Sequence, residues 1–217
     1  MEWVELIKQL SILIGIWVAI YGLDSWHREH KGKRQMELAE DTLALFFEAR
    51  DAITHIRHPM SYAHETDDVE RIERETEQQW EARKNASVVF TRYNAYQELF
   101  SKIRAMRYRF MAQFGQEASK PFDELQSIVG KIIASARTLS RLWARDHIPT
   151  EERWNKHLDA IEKNEAVFWE GASDEDPINP QLDSVIAEME KTCSRIIRGD
   201  KSLAAMLNRP IFPNRGK

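Results

Sequence analysis

The stretch LSILIGIWVAIYGL, Leu10–Leu23, contains fourteen uncharged residues, mostly Ile, Leu, Val and Trp. The rest of the chain is polar and patterned like helices. A helix needs about 20 apolar residues to cross a hydrocarbon core of roughly 30 Å, so this run alone is short. Extension back to Trp3 gives 21 residues and includes Glu5 and Lys8, about 31 Å of helix. We therefore predict one transmembrane helix within residues 1–26.

The residues at both ends of this segment support a membrane position. Glu5 and Lys8 are three apart and can pair on one helix face, while Lys8 can also extend toward lipid headgroups. Trp3 at one end, with Tyr21 and Trp26 at the other, suits interfacial aromatic belts. A cleaved signal peptide and a buried or interfacial helix are the alternatives. The signal peptide fits less well, because the start is not basic and no small-residue cleavage site follows.

Basic residues directly after the segment predict its orientation. They outnumber Lys8, the one basic residue before it, so the C-terminal bulk should be cytoplasmic and the N-terminus outside. A single cysteine, Cys193, fits a reducing compartment and excludes an intramolecular disulfide. The basic residues should contact lipid headgroups, or else only enforce topology. They are Arg28, Lys31, Lys33 and Arg34.

Small residues recur within the segment at spacings of four, four and three, which places them on one helix stripe. They are Ser11, Gly15, Ala19 and Gly22. Small side chains let membrane helices approach closely. The stripe predicts association with a second copy or another membrane subunit. Chance is the alternative, because Gly and Ala are common in membrane helices.

Composition favours one helical domain after the segment. The chain has 217 residues, 30% of them charged, with only 8 Gly and 7 Pro, which indicates long helices and few turns. We predict a helical cytoplasmic domain over residues 27–208 and a flexible tail over 209–217. A net charge of −4 does not indicate nucleic-acid binding.

The first helix beyond the segment should run from Lys33 to about Arg57, where apolar residues recur at three and four. It could continue directly from the membrane helix. Pro59 ends it, because the residue before proline is disfavoured in a helix. A polar loop to Thr66 should follow.

A second, long helix is predicted from Asp67, a cap with Glu70 three residues later, to Phe114 before Gly115. It would span about 48 residues, or about 72 Å. That length suggests a long antiparallel hairpin, or a break near Asn85.

A straight return of this helix toward the membrane would bring its basic end to headgroup level. The alternative is that these side chains pair with acidic faces of neighbouring helices, and nucleic acid is a weaker possibility. The basic residues are Lys102, Arg104, Arg107 and Arg109.

Three more helices should follow, beginning near Pro121, Thr150 and Asn179. The first of them is the most apolar and should be central. The run ASDEDPINP, residues 172–180, is predicted to be an exposed linker. The fold is therefore expected to be all-α: one transmembrane helix, then a cytoplasmic bundle of about five helices.

Candidate chemistry is sparse. Asp51, His55 and His58 lie four and three apart, a set that could bind a divalent metal, with His64 beyond the loop. The alternative is a polar helix end whose histidines favour the negative end of the helix dipole. Cys193 sits at a core spacing and should pack. No catalytic motif was found, so we expect no enzyme activity, no cofactor and no small-molecule substrate.

Four stretches carry a resemblance to a known family. The chain resembles a family of small bacterial inner-membrane proteins of no assigned function, over roughly its first 115 residues. The resemblance implies one anchor and a helical cytoplasmic part, and no active site. The stretches are GKRQMELAEDTLALFFEARDAI, IRHP, SVVFTRY and KIRAMRYRFMAQFG.

These observations predict a membrane-anchored helical interaction or scaffold module in the bacterial inner membrane, without catalytic activity. Its partners would be the membrane and either further copies of itself or another membrane or cytoplasmic protein. The alternative is a membrane effector or channel-type component that its soluble helices switch. A metal-dependent enzyme at the Asp51 group is the third hypothesis.

Overall fold

A computed structural model describes the backbone over residues 2–144 and 151–198. Some helical side chains lie outside this description: those of residues 2–13, 16, 19–20, 23–25, 27–28 and 152–154. Two compact units divide the chain, Thr42–Thr192 and the pair of segments Met1–Asp41 and Cys193–Lys217. The predicted domain limit at 208 and the predicted tail over 209–217 lie outside the described residues, and the limit at 26 stays a prediction.

The described residues form six α-helices and two short 3-10 turns, and these ranges contain no strand. The turns are Ala63–Glu65 and Glu117–Ser119. The all-α class is therefore confirmed. The helices are α1 (Glu2–Ile56), α2 (Glu77–Ala95), α3 (Gln97–Phe114), α4 (Lys120–Leu142), α5 (Glu151–Phe168) and α6 (Asn179–Arg198).

Several helix limits follow the predicted signals. The helix predicted from Lys33 does continue from the N-terminal segment, since α1 is unbroken, and it ends three residues before Pro59. α3 ends before Gly115, whose φ of 90° suits a residue without a side chain. Pro121 lies in the first turn of α4, where its missing N–H costs no helical hydrogen bond.

The predicted helix start at Asp67 is wrong, because α2 begins ten residues later. Its cap is Thr76, whose hydroxyl accepts a hydrogen bond from the Gln79 backbone N–H at 3.2 Å. The Gln79 side-chain oxygen in turn accepts from the Thr76 N–H at 3.2 Å, which completes a capping box. The acidic stretch before Thr76 offers only Val69 and Ile72 as large apolar residues, too few for a buried helical stripe.

Specific bonds hold that acidic stretch as a loop. Arg83 donates through two nitrogens to both carboxylate oxygens of Glu75, each at 2.8 Å, and to the Glu70 carbonyl at 2.7 Å. The Trp80 indole N–H donates to the Val69 carbonyl at 2.9 Å. The hydrogen bond from Arg83 is the main reason that the pKa of Glu75 falls to about 2. The loop thus lets Glu75 and Arg83 pair with each other, whereas on a helix face both side chains would have been exposed to water.

The single 48-residue helix is also wrong, because α2 and α3 separate at Tyr96 rather than near Asn85. The Tyr96 N–H bonds to the Tyr93 carbonyl at 3.0 Å, a tightened turn. The rings of Tyr93 and Phe100 stack across this break, with centroids 5.3 Å apart. The break removes the straight helix that would have carried the basic end of α3 back to the membrane.

α4 is central in unit Thr42–Thr192, as predicted, and it packs against α2, α3 and α5. Phe122 meets Phe46 of α1 edge to face at 4.9 Å, and Phe110 of α3 at 5.5 Å. Each such ring contributes roughly 1.5–3 kcal/mol through burial. The buried residues of α4 recur at helical spacing and are Pro121, Phe122, Leu125, Ile128, Ile132, Ser135, Ala136 and Leu139.

Arg92 of α2 is a buried cation at the C-terminal end of α1. Its guanidinium forms a bidentate ion pair with Glu65, at 2.7 and 3.0 Å. It also donates to the carbonyls of His58 and Met60, both at 2.6 Å. Weaker bonds at 3.3 and 3.4 Å reach the last turn of α1, whose carbonyls have no helical partner. Arg92 therefore ties α1, α2 and the loop between them together.

Arg57, directly after α1, performs the same role at the end of α5 and is 1% exposed. It donates to the carbonyls of Ala166 and Val167, each at 2.9 Å. Its remaining donors reach Asp176 at 2.8 Å and the Asn179 side chain at 2.9 Å. Arg57 thus connects the end of α1 to the end of α5 and the start of α6.

The run over residues 172–180 is only partly the exposed linker that we predicted. Residues 172–175 are exposed, but Ile178 is buried and Asp176 is half-buried. Asp176 accepts hydrogen bonds from the N–H groups of Ile178 and Asn179, at 2.8 and 2.9 Å. Burial is the strongest influence and raises the pKa of Asp176, but the bonds from Arg57 and these N–H groups outweigh it, so this pKa is lowered.

Replacement of Arg92 by Met should destabilise the protein by about 3–5 kcal/mol, because Glu65 is left buried without its counter-ion. Urea unfolding of the full chain in detergent, followed by circular dichroism, measures the change. Lys102→Met is the matched control, since Lys102 pairs with Glu98 at 2.8 Å on the surface, and it should change stability little. A loss below about 1 kcal/mol in Arg92→Met would contradict the role assigned to this residue.

The same pair predicts how stability depends on pH. The hydrogen bond from Arg92 is the main reason that the pKa of Glu65 falls from 4.5 to about 2. A carboxyl with a lowered pKa stabilises the fold above its unfolded pKa, and this contribution is lost as pH falls toward 2. The advantage of wild type over Glu65→Gln should therefore be on the order of 3 kcal/mol at neutral pH and shrink between pH 4.5 and 2. An equal difference in the free energy of unfolding between wild type and Glu65→Gln at pH 7 and at pH 2.5 would contradict this role of Glu65.

Candidate functional site

Large apolar side chains near the start of α1 are uncovered. Trp17 is 66% exposed and its ring stacks on Tyr21 at 5.6 Å. We call this exposed surface the apolar segment of α1. An exposed patch of large apolar residues is typical of a membrane or protein contact. Its described members are Ile14, Trp17, Val18, Tyr21 and Trp26.

The predicted membrane helix lies within α1, and the backbone of Trp3–Leu23 is helical throughout. Over the described residues, no helix has the combined length and apolarity that crossing a bilayer requires. Many side chains of Trp3–Leu23, including all of those before Ile14, lie outside the described residues.

The predicted small-residue stripe is partly visible. Gly15 and Gly22 lie in α1, and a methyl group added at either one would meet no atom of the described residues within 4 Å, apart from the backbone of its own helix. The side chains of Ser11 and Ala19 lie outside the described residues. Contact through this stripe stays a prediction.

The basic residues after the apolar segment are exposed where they are described. Lys31, Lys33 and Arg34 all face solvent, and Lys33 lies 4.0 Å from Glu37 one turn along the helix. The side chain of Arg28 is outside the described residues. Exposed cations at this position could meet anionic headgroups.

The basic residues of α3 divide into two groups. Lys102 pairs with Glu98 at 2.8 Å, and Arg107 forms a bidentate pair with Asp123 of α4 at 2.8 and 2.9 Å. These two follow the alternative in which the cations pair with acidic neighbours. Arg104 and Arg109 are exposed, and neither has a carboxylate partner within the described part of the chain.

A small apolar groove lies next to Arg104, between α3 and α4. It holds about 40 Å³ of open space. The sequence predicted that these apolar residues lie in the core, and it did not predict the opening. The opening depends on how closely two helices approach, which leaves no pattern in the sequence. The lining residues are Tyr93, Phe100, Ile103, Arg104, Arg107, Phe122, Leu125, Gln126 and Val129.

The candidate metal ligands have other neighbours. Asp51 lies 3.6 Å from Arg50, the His55 ring packs against Tyr96, and His58 Nδ1 accepts the Met60 N–H at 3.2 Å. Across the described ranges, no three His, Cys, Asp or Glu side chains are grouped so that they could hold a metal. The geometry fits the alternative of a polar helix end.

Cys193 is buried in α6, and burial raises the pKa of its thiol to about 12. The thiolate is the reactive form, so we expect folded protein to react with a disulfide reagent far more slowly than urea-unfolded protein. Ser101→Cys adds a thiol at an exposed position of α3 and should react quickly in the folded state. Fast, stoichiometric reaction of Cys193 in folded wild type would contradict its burial.

Comparison with models of known protein families, with curated proteins and with solved structures finds no match for this chain. The resemblance to small bacterial inner-membrane proteins therefore stays a prediction, and the function must be inferred from the residues themselves.

Proposed function

We propose that this protein is a membrane-anchored, all-helical interaction module that works without catalysis. The N-terminal part of α1 would insert into the bacterial inner membrane, with the N-terminus outside and the helical domain in the cytoplasm. The observation that carries the proposal is the uncovered apolar segment of α1, with Trp17 66% and Tyr21 59% exposed.

Lipid is the environment that fits this surface best. Burial of each large apolar side chain yields roughly 1.5–3 kcal/mol, and each nearby basic residue adds about 1 kcal/mol at an anionic leaflet. Trp26 is the last described member of the apolar segment before Lys31, where an amphipathic ring suits the membrane interface. In water the same helix would leave these groups exposed without compensation.

An interaction role fits the rest of the molecule. The helices of unit Thr42–Thr192 are joined by buried ion pairs of Arg57 and Arg92, which favour a stiff body over a mobile one. Its exposed surfaces carry charge of both signs, in the acidic loop before α2 and on α3. Gly15 and Gly22 leave room beside α1 for a second helix. We therefore include oligomerisation, or contact with another membrane protein, in the proposal.

Alkaline extraction of membranes from cells that express the full chain tests the anchor. Wild type should stay with the membrane, whereas Ile14→Lys with Val18→Lys should release it, since each lysine costs about 2.5–3.5 kcal/mol near the helix centre. Met36→Lys is the matched control, because Met36 is exposed on the same helix beyond the apolar segment. Release of wild type, or retention of the double variant, would contradict the proposal.

Orientation has its own test. A Ser101→Cys thiol in α3 should react with a membrane-impermeant maleimide only after the inner membrane of spheroplasts is permeabilised, because the helical domain should be cytoplasmic. Labelling of intact spheroplasts would show that the domain lies outside.

A further inference from the structure

A stretch of α1 without a buried face follows the apolar segment. Every residue from 29 to 37 is exposed except Gln35, which is half-buried. Leu38 and Ala39 then begin a buried face that continues to Phe46. We call residues 29–37 the exposed stretch of α1. Most of the stability of a protein helix comes from packing of an apolar face, and the exposed stretch has none.

The side-chain interactions seen in the exposed stretch run along α1 itself. The Trp26 ring stacks on the His30 ring, with centroids 5.6 Å apart, and Lys33 lies 4.0 Å from Glu37 one turn later. Ion pairs that are exposed to solvent contribute little to stability. An isolated helix shorter than about 12–15 residues is marginal in water. These nine residues are therefore helical with little support.

Gly32 lies near the middle of the exposed stretch and weakens the helix further. A methyl group added there would meet no atom of the described residues within 4 Å, apart from the backbone of its own helix. Close packing therefore does not require a glycine at this position. Glycine is the poorest helix former after proline, because its backbone loses the most freedom on folding. Helical hydrogen bonds should thus open more readily around Gly32 than in the packed part of α1.

We propose that the exposed stretch is a hinge, at which α1 opens locally around Gly32 while the helix on either side stays intact. Bending here lets the apolar segment and the helical bundle reorient without loss of buried contacts, because the residues that change conformation are exposed. Protein hinges are short segments in which a few residues absorb the change in backbone angles. The inference concerns α1 alone and does not depend on the membrane position of the apolar segment.

Hydrogen–deuterium exchange of the full chain in detergent tests the hinge. The amides of residues 30–36 should exchange at least about 100-fold faster than those of residues 46–53, since local opening costs far less free energy than opening of a packed helix. Both ranges lie on α1, so mass spectrometry of their peptides compares them in one sample. Phe46 and Ile53, each 0% exposed, mark the packed reference.

Two glycine substitutions make the test specific. Gly32→Ala should slow exchange of residues 30–36 by about fivefold, because alanine favours the helix over glycine by roughly this factor. Gly130→Ala is the matched control, since Gly130 is also exposed in a helix with open space around it. It lies in α4 between the buried Ile128 and Ile132, and its replacement should leave exchange of residues 30–36 unchanged.

The distance between two spin labels reports the bending itself. Labels at Val18→Cys and Glu40→Cys, both at exposed positions of α1, would lie about 33 Å apart in a straight helix. With Gly32 present, the distance distribution should be broad and should extend to shorter distances. Gly32→Ala should remove much of this short-distance population, and Gly130→Ala should not.

Three results would overturn the hinge. They are exchange of residues 30–36 as slow as that of residues 46–53, no slowing in Gly32→Ala beyond that in Gly130→Ala, and a distance distribution that Gly32→Ala leaves unchanged. None of them depends on whether alkaline extraction releases the chain from membranes. Failure of the hinge is therefore separate from failure of the anchor.

Discussion

The contact on which the domain depends is the buried guanidinium of Arg92. A cation removed from water is costly unless its donors are satisfied, and Arg92 is satisfied by Glu65 and by main-chain oxygens at the end of α1. The donors of Arg57 are likewise satisfied by main-chain oxygens at the end of α5. Both arginines sit where a helix dipole is negative and where carbonyls lack helical partners. The described part of the chain contains no buried side-chain nitrogen or oxygen without a partner.

In this arrangement, the residues that pack the core are separate from the residues that form the exposed surfaces. The apolar faces of the helices meet around α4, and the two arginines bond to the turns between helices. Two surfaces that the core does not require are exposed: the apolar segment of α1 and the cations of α3 at Arg104 and Arg109. The proposed function assigns the first of these surfaces to lipid.

Local patterns predicted most of the helices, and they failed where long-range contacts decide the structure. Apolar spacing and the signals at Pro59, Gly115 and Pro121 place helix limits correctly, because the physics of these signals is local. The acidic loop was misread, since the bond between Glu75 and Arg83 spans eight residues that a helical reading would separate. The sequence analysis did not predict the roles of Arg57 and Arg92, because their partners lie far along the chain. The groove could not be predicted for the same reason.

The central claim is that the start of α1 lies in lipid, and a depth measurement tests it most directly. A spin label at Val18→Cys, with one at Met36→Cys for comparison, reports whether each position meets oxygen dissolved in lipid or a water-soluble nickel complex. The buried Cys193 should escape labelling in the folded chain. With the full chain in bilayers, position 18 should favour oxygen and position 36 the nickel complex. Equal access of the nickel complex to both positions would contradict the account.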